Sequence, residues 1–140
     1  MKFREQDNQY IIRLEKGEEL LATLTGFCAE HDIKSGWITS GIGGIERATV
    51  GYFNTRTKKY VFRRVKDAIE LTSLNGNISE VEGKPFLHLH ATVSSMNNKV
   101  SGGHVHHIIT AGTIEVLLST FTKPLTRSYD DNIGLKLLDL

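Results

Sequence analysis

The stretch PFLHLHATVSSMNNKVSGGHVHH, residues 85–107, decides how this chain is read, and it carries five of the six histidines. Phe86 to Ser94 has the composition of a strand, and side chains along a strand alternate between its two faces. Phe86, His88, His90 and Thr92 therefore share one face, while Leu87, Leu89, Ala91 and Val93 take the other, the core side. The Gly102-Gly103 pair reads as a turn that delivers His104, with His106 on the same parity and His107 opposite. Two imidazoles on one strand face and a third brought in by glycines supply three nitrogen ligands and leave a coordination position open. That is the donor set of a catalytic zinc, whose fourth place is taken by water or substrate. The same residues also make an ordinary polar strand face with solvated histidines, and the spacing by itself leaves both readings open.

Working outward, the order FLHLHATVS, GGHVHH, TIEVLL is accompanied by SGWITSGIGGIERATVGYF, IELTSLNGNIS and a closing GLKLLDL. Together these stretches resemble the PPC domain (plants and prokaryotes conserved domain) in its stand-alone prokaryotic form, from Ile11 to Leu140. The resemblance implies a compact α/β subunit that assembles as a homotrimer, with a bound metal in some prokaryotic members. The fold is also related to acetolactate decarboxylase, whose zinc is held by three histidines, two of them in a His-x-His pair. Carried across, those ligands fall on His88, His90 and His104, and the cofactor is zinc or another divalent transition metal. In plants the domain follows AT-hook DNA-binding motifs, but the Arg-Gly-Arg core of that motif is absent here. The plant partner-contact segment, Gly-Arg-Phe-Glu-Ile-Leu, is matched by Lys66-Asp67-Ala68-Ile69-Glu70-Leu71, which keeps only its acidic and aliphatic part.

A length of 140 residues suits one domain, residues 1–140, and is long enough for a real core. Seventeen Lys and Arg against sixteen Asp and Glu leave a net charge of +1, so no global polycation attracts nucleic acid. A single cysteine, Cys28, excludes an internal disulfide and fits a reducing cytoplasm. The charged opening MKFREQDNQY lacks the apolar core of a signal peptide, and no apolar stretch reaches the length of a membrane span. A cytoplasmic protein without a membrane partner is expected.

The periodicities predict an α+β fold: a single compact domain, mostly antiparallel β-sheet packed around one main helix. Tyr10, Ile12 and Leu14 give a first strand with one core face. Leu20, Leu21, Leu24, Phe27 and Cys28 form the apolar stripe of a helix that opens at Glu18-Glu19 and ends near His31. Cys28 lies on that stripe as a structural thiol. Gly41, Gly43 and Gly44 lack the Gly-Lys-Ser/Thr ending of a phosphate loop and are assigned to backbone geometry. Ala48 to Phe53 and Lys59 to Val65 read as a hairpin, and the basic residues Lys58, Lys59, Arg63, Arg64 and Lys66 as a solvated edge-strand face. Ile69 and Leu71 alternate toward an Asn75-Gly76 turn. Thr113 to Phe121 is a separate strand with Ile114, Val116 and Leu118 on one face and Glu115 opposite, placed either to orient a metal-bound histidine or to meet a neighbouring subunit's cation. Ser128 to Asn132 is a polar loop.

Two function classes fit these features. One is a metal-binding homotrimer used as a contact or DNA-linked regulatory module. The other is a metal-dependent enzyme, of lyase or hydrolase type, acting on a small oxo- or hydroxy-acid bound at the metal. Sequence-specific DNA binding is not expected from a chain of this charge without an AT-hook. A homotrimer is expected, because apolar residues such as Ile69, Leu71 and Leu117 ask for cover on both faces of the sheet.

Overall fold

Alternation and helical spacing produce nine strands and one helix in the computed structural model, which describes all residues from Met1 to Leu140. They run β1 (Lys2–Gln6), β2 (Gln9–Leu14), α1 (Leu20–Glu30), β3 (Gly36–Asn54), β4 (Lys59–Val65), β5 (Ala68–Val81), β6 (Lys84–Ser95), β7 (Val100–Thr120), β8 (Arg127–Asp130) and β9 (Leu135–Leu138). Seven strands form one antiparallel sheet in the order β1-β2-β7-β6-β5-β3-β4, and β7 also pairs with β3. That extra pairing closes β3, β5, β6 and β7 into a ring, with β4 and β1 left as edges. β8 and β9 form a small separate hairpin.

The core is a single cluster of 24 buried residues in which the helix stripe Leu20, Leu24, Phe27 and Cys28 meets the inner faces of the sheet. All four core-face residues of β6, Leu87, Leu89, Ala91 and Val93, are buried as the alternation predicts. α1 is capped by Glu19, whose carboxylate accepts from Ala22 N at 2.6 Å and from Ile108 N of β7 at 3.1 Å. One side chain thus satisfies a free helix donor and fastens the helix to the sheet. Burial pushes the Cys28 thiol up to about 12, so it stays protonated and inert, as a structural cysteine should. The β3–β4 hairpin is also where the sequence puts it: Asn54 Oδ1 accepts from Arg56 N and Thr57 N, and Asn54 pairs with Lys59.

Several expectations are corrected. Gly102-Gly103 is not a turn. Both residues lie within β7 opposite Thr92 and Ala91, and the chain reverses at Met96–Lys99 instead. Gly103 has φ +152°, and a Cβ there would stand 2.4 Å from Gly51 O, so the glycine exists for close strand approach. Asn75-Gly76 is likewise no turn: Gly76 sits mid-strand between Ile38 and Leu89. The run read as Thr113 to Phe121 is the far end of β7, which stops at Thr120, rather than a strand of its own, and Trp37 to Phe53 is one continuous strand. In the first half of β5 the buried residues are Ala68, Leu71 and Leu74, three apart, because the ladder shifts register between Ala68 and Glu70 and again between Leu71 and Ser73. Each extra residue reverses the facing of the side chains beyond it. Ile69 therefore points outward, 41% exposed, and Leu71 inward. In the stretch read as a polar loop, Ser128 to Asp130 belong to β8. No helix is long and apolar enough to cross a membrane.

Candidate metal centre

His88 and His90 project from the solvent face of β6, opposite its buried leucines. His104 stands directly across from His90 in the β6–β7 ladder. Directly opposed residues on paired strands hold their Cβ atoms about 5 Å apart, near enough for two imidazoles to converge. The glycines just before His104 let β7 run close to both β3 and β6, which fixes the height from which its ring enters. His88 Nε2 and His90 Nε2 stand 3.2 Å apart, and ring nitrogens of all three histidines lie within 4.8 Å of one another.

The walls are aromatic. Tyr60 and Phe62 of β4 stack with centroids 5.3 Å apart, and Tyr60 lies 4.9 Å from the His104 ring. His106 stacks on Phe62 at 4.3 Å and so stands one ring removed from the trio. Val105 and Ile108 are both buried although three apart, because a bulge between them lets His106 face Phe62 while His107 turns toward Glu19 at 3.6 Å. Glu115 makes no hydrogen bond to any histidine. It lies opposite Arg13 and Ile42 on the outer side of the sheet, in a shallow groove with Glu70. His31 is elsewhere, at the C-cap of α1, packed against Phe3 and Phe27.

On the other side of the site is a residue that sequence reasoning does not single out. Arg127 of β8 donates Nε to Ser79 Oγ at 2.8 Å, one terminal nitrogen to Asn77 Oδ1 at 2.8 Å and the other to Lys136 O at 2.7 Å. Its guanidinium sits 5.1 Å from the centre of the Phe86 ring. Burial lowers the pKa of His88, with help from the charges of His90 and Arg127. Burial also lowers His104 to about 4, assisted by His88, His90 and His106. Both rings are therefore neutral near pH 7, and a neutral imidazole has a free lone pair.

Whether these residues fit a metal can be tested on that geometry. Two nitrogens bound at about 2.0–2.1 Å to one tetrahedral zinc stand roughly 3.3 Å apart, close to the spacing of His88 and His90. The neutral rings of His88 and His104, the converging nitrogens and a trio made of histidines alone suit a borderline-soft divalent ion.

The profile of the Plants and Prokaryotes Conserved (PCC) domain matches residues 1–122. The chain belongs to this family. A crystal structure from Bacteroides thetaiotaomicron, of a protein described provisionally as DNA-binding, superposes with a TM-score of 0.94 at 32% identity, over 99% of this chain and 96% of that one. A metal-containing protein from Archaeoglobus fulgidus superposes with a TM-score of 0.86 at 30% identity, over 100% of both chains. Bifunctional protein GlmU of Synechococcus sp. (strain JA-3-3Ab) is 25% identical over 126 residues; the match takes in 84% of this chain but only 19% of that protein. The chain thus spans about a fifth of the length of that curated relative.

Proposed function

We propose that this PCC-domain protein binds one divalent transition metal, zinc first, through His88, His90 and His104. The observation that carries the reading is the convergence of three ring nitrogens within 4.8 Å on a strand face opposite the core. The metal-containing Archaeoglobus relative, similar over its whole length, supports it. Zinc so held supplies Lewis acidity toward a carbonyl and lowers the pKa of a bound water. Burial keeps the His88 and His104 imidazoles unprotonated, helped at His88 by the nearby Arg127 charge, and Tyr60 and Phe62 wall off one side. Metal analysis of the purified protein against a His88→Ala/His90→Ala variant tests the assignment. Equal metal content in the two would remove it.

A second reading, a metal-dependent enzyme acting on a small molecule, is favoured by the donor count. Structural zinc sites are closed by four protein ligands, whereas three converge here and His90 is exposed. Cobalt(II) substitution separates the two: an absorption spectrum that shifts on adding azide reports an exchangeable position, and an indifferent one reports a closed site.

The homotrimer belongs to the same proposal. Ile11, Trp37 and Ile42 are 50%, 40% and 53% exposed on the outer face of β2 and β3, beside the half-buried Leu117 of β7. Such an apolar face gains by being covered by further copies. Light scattering should return three times the 15.6 kDa chain mass, and a monomer at micromolar concentration would count against it. DNA association is held to the weak, salt-sensitive range, about 10⁻⁴ M or poorer at physiological salt. A tight sequence-dependent gel shift would contradict that.

A further inference from the structure

Beside the histidines lies a cavity of about 810 Å³, and His90 belongs to both. Ligand sites for small molecules commonly enclose about 300–1,000 Å³ with mostly apolar walls and a few placed polar groups. Here Val50, Val61, Val65 and Met96 supply apolar wall, and the backbone of Gly102 and Gly103 lies beside them. Arg63, Arg64, Lys66 and Lys99 supply charge, against the single carboxylate of Asp67. In a chain whose net charge is +1, four cations around one hollow are a local concentration. Every ion pair of the protein is made by other basic groups, so none of these four is neutralised by a carboxylate.

The rim is built before any ligand arrives. Met96 N donates to Asp67 O at 3.2 Å, tying the β6–β7 turn to the β4–β5 turn. Ser95 N donates to Lys99 O at 3.0 Å, and Ser95 Oγ donates to Asn97 Oδ1 at 2.6 Å, so the turn that carries Lys99 is held from inside. A preorganised rim spends less ordering entropy when it binds.

We propose that this cavity binds a small amphipathic organic anion, a carboxylate or phosphate ester with an apolar body, with one end reaching His90. The anionic head meets the unpaired cations and the body lies on the valines. The orientation toward His90 rests on the metal-site reading; binding in the cavity does not. A duplex, whose phosphates are spread along a long outer surface, does not suit cations gathered around a hollow of this size.

Calorimetric titration of the full chain tests it, first stripped of metal by a chelator and then zinc-loaded. The probes are phenyl phosphate, benzoate, inorganic phosphate and neutral benzyl alcohol. Phenyl phosphate or benzoate should bind the stripped protein at least tenfold more tightly than the alcohol or the inorganic ion, and the tighter of the two identifies the head group. Arg63→Gln/Lys99→Gln should lose at least tenfold in that affinity and keep the wild-type metal content. Arg63→Lys/Lys99→Arg, which keeps both charges, should retain binding; a comparable loss there would trace the effect to packing and overturn the proposal. Undiminished binding by the folded Gln variant overturns it as well. So does the failure of both aromatic anions to bind below roughly 1 mM, or a short duplex that displaces them stoichiometrically. Zinc that leaves the affinity unchanged overturns the orientation toward His90, while the stripped-protein arm still decides the cavity.

Discussion

Histidine meets aromatic rings at two places in this protein, with opposite results. At the end of α1, His31 packs against Phe27, Phe3 and Tyr10 with ring centroids 4.4, 4.9 and 5.9 Å away. No second imidazole comes near, and the ring serves as a flat, polar-edged cover for an aromatic cluster at the edge of the core, where Phe27 and Tyr10 are buried. At the β6–β7 site, Tyr60 and Phe62 play the part of wall, but the three imidazoles turn their nitrogens toward one another. Aromatic company is common to both clusters. What separates a packing histidine from a ligand is whether ring nitrogens converge, and strand pairing achieves that where a helix end cannot.

The largest effect that can sharpen this contrast is on metal. Since loss of a mere outer partner costs about 10–100-fold in metal affinity, His88→Ala/His90→Ala should lose more than that while keeping a native circular dichroism spectrum. His31→Ala should leave metal content untouched. A next, smaller effect is expected from Gly103→Ala, which forces a Cβ against Gly51 O and pushes β7 away from β3. It should destabilise by about 1–3 kcal/mol, as strained backbone does, and weaken metal binding by displacing His104. Denaturant melts that match wild type would show that close approach is unnecessary. His31→Ala itself should cost about 0.5–1 kcal/mol for its ring contacts; a cost above that of Gly103→Ala would reverse the assigned roles.

The smallest effect is in pH. In the metal-stripped protein His88 and His104 have lowered pKa values, His104 about 4. Unfolded histidine takes its proton near pH 6.5, so between there and about 4 the unfolded chain binds protons that the folded one refuses. Stability is therefore full above that window and is lost as pH falls through it. His104→Gln should flatten the dependence by removing the larger contributor. Thermal melts at steps from pH 7 to 4 read the slopes, and equal slopes in wild type and His104→Gln would sink the account.

The parts of this arrangement that are legible in the sequence are those governed by period. β6 declares both its faces, α1 declares its stripe, and the His-x-His spacing declares two of the three converging rings. Bulges leave no periodic mark. Ala68, Leu71 and Leu74 are all buried at a spacing that matches neither strand nor helix, so simple alternation puts Ile69 on the wrong face. Asn75-Gly76 and Gly102-Gly103 carry turn composition but serve crowded strand crossings, a distinction that depends on neighbours distant in sequence. Tyr60 and Phe62 stand out by alternation, yet nothing local says that their face meets His104. Arg127 gives no local signal: it lies in a tail that reads partly as loop, and its importance comes from Asn77 and Ser79, about fifty residues earlier.

That last contact bears on inheritance. The family profile ends at residue 122, while Arg127 lies beyond it and completes the hydrogen bonding of Asn77 and Ser79, both buried within the matched region. A buried amide or hydroxyl left without its partner costs about 1–3 kcal/mol. A descendant that loses the arginine must therefore also trade the asparagine for an apolar residue or recruit another donor, whereas Ser79 keeps its hydrogen bond to Phe86 O. Positions 77 and 127 should change hands together across relatives, as one heritable unit that straddles the edge of the recognised domain.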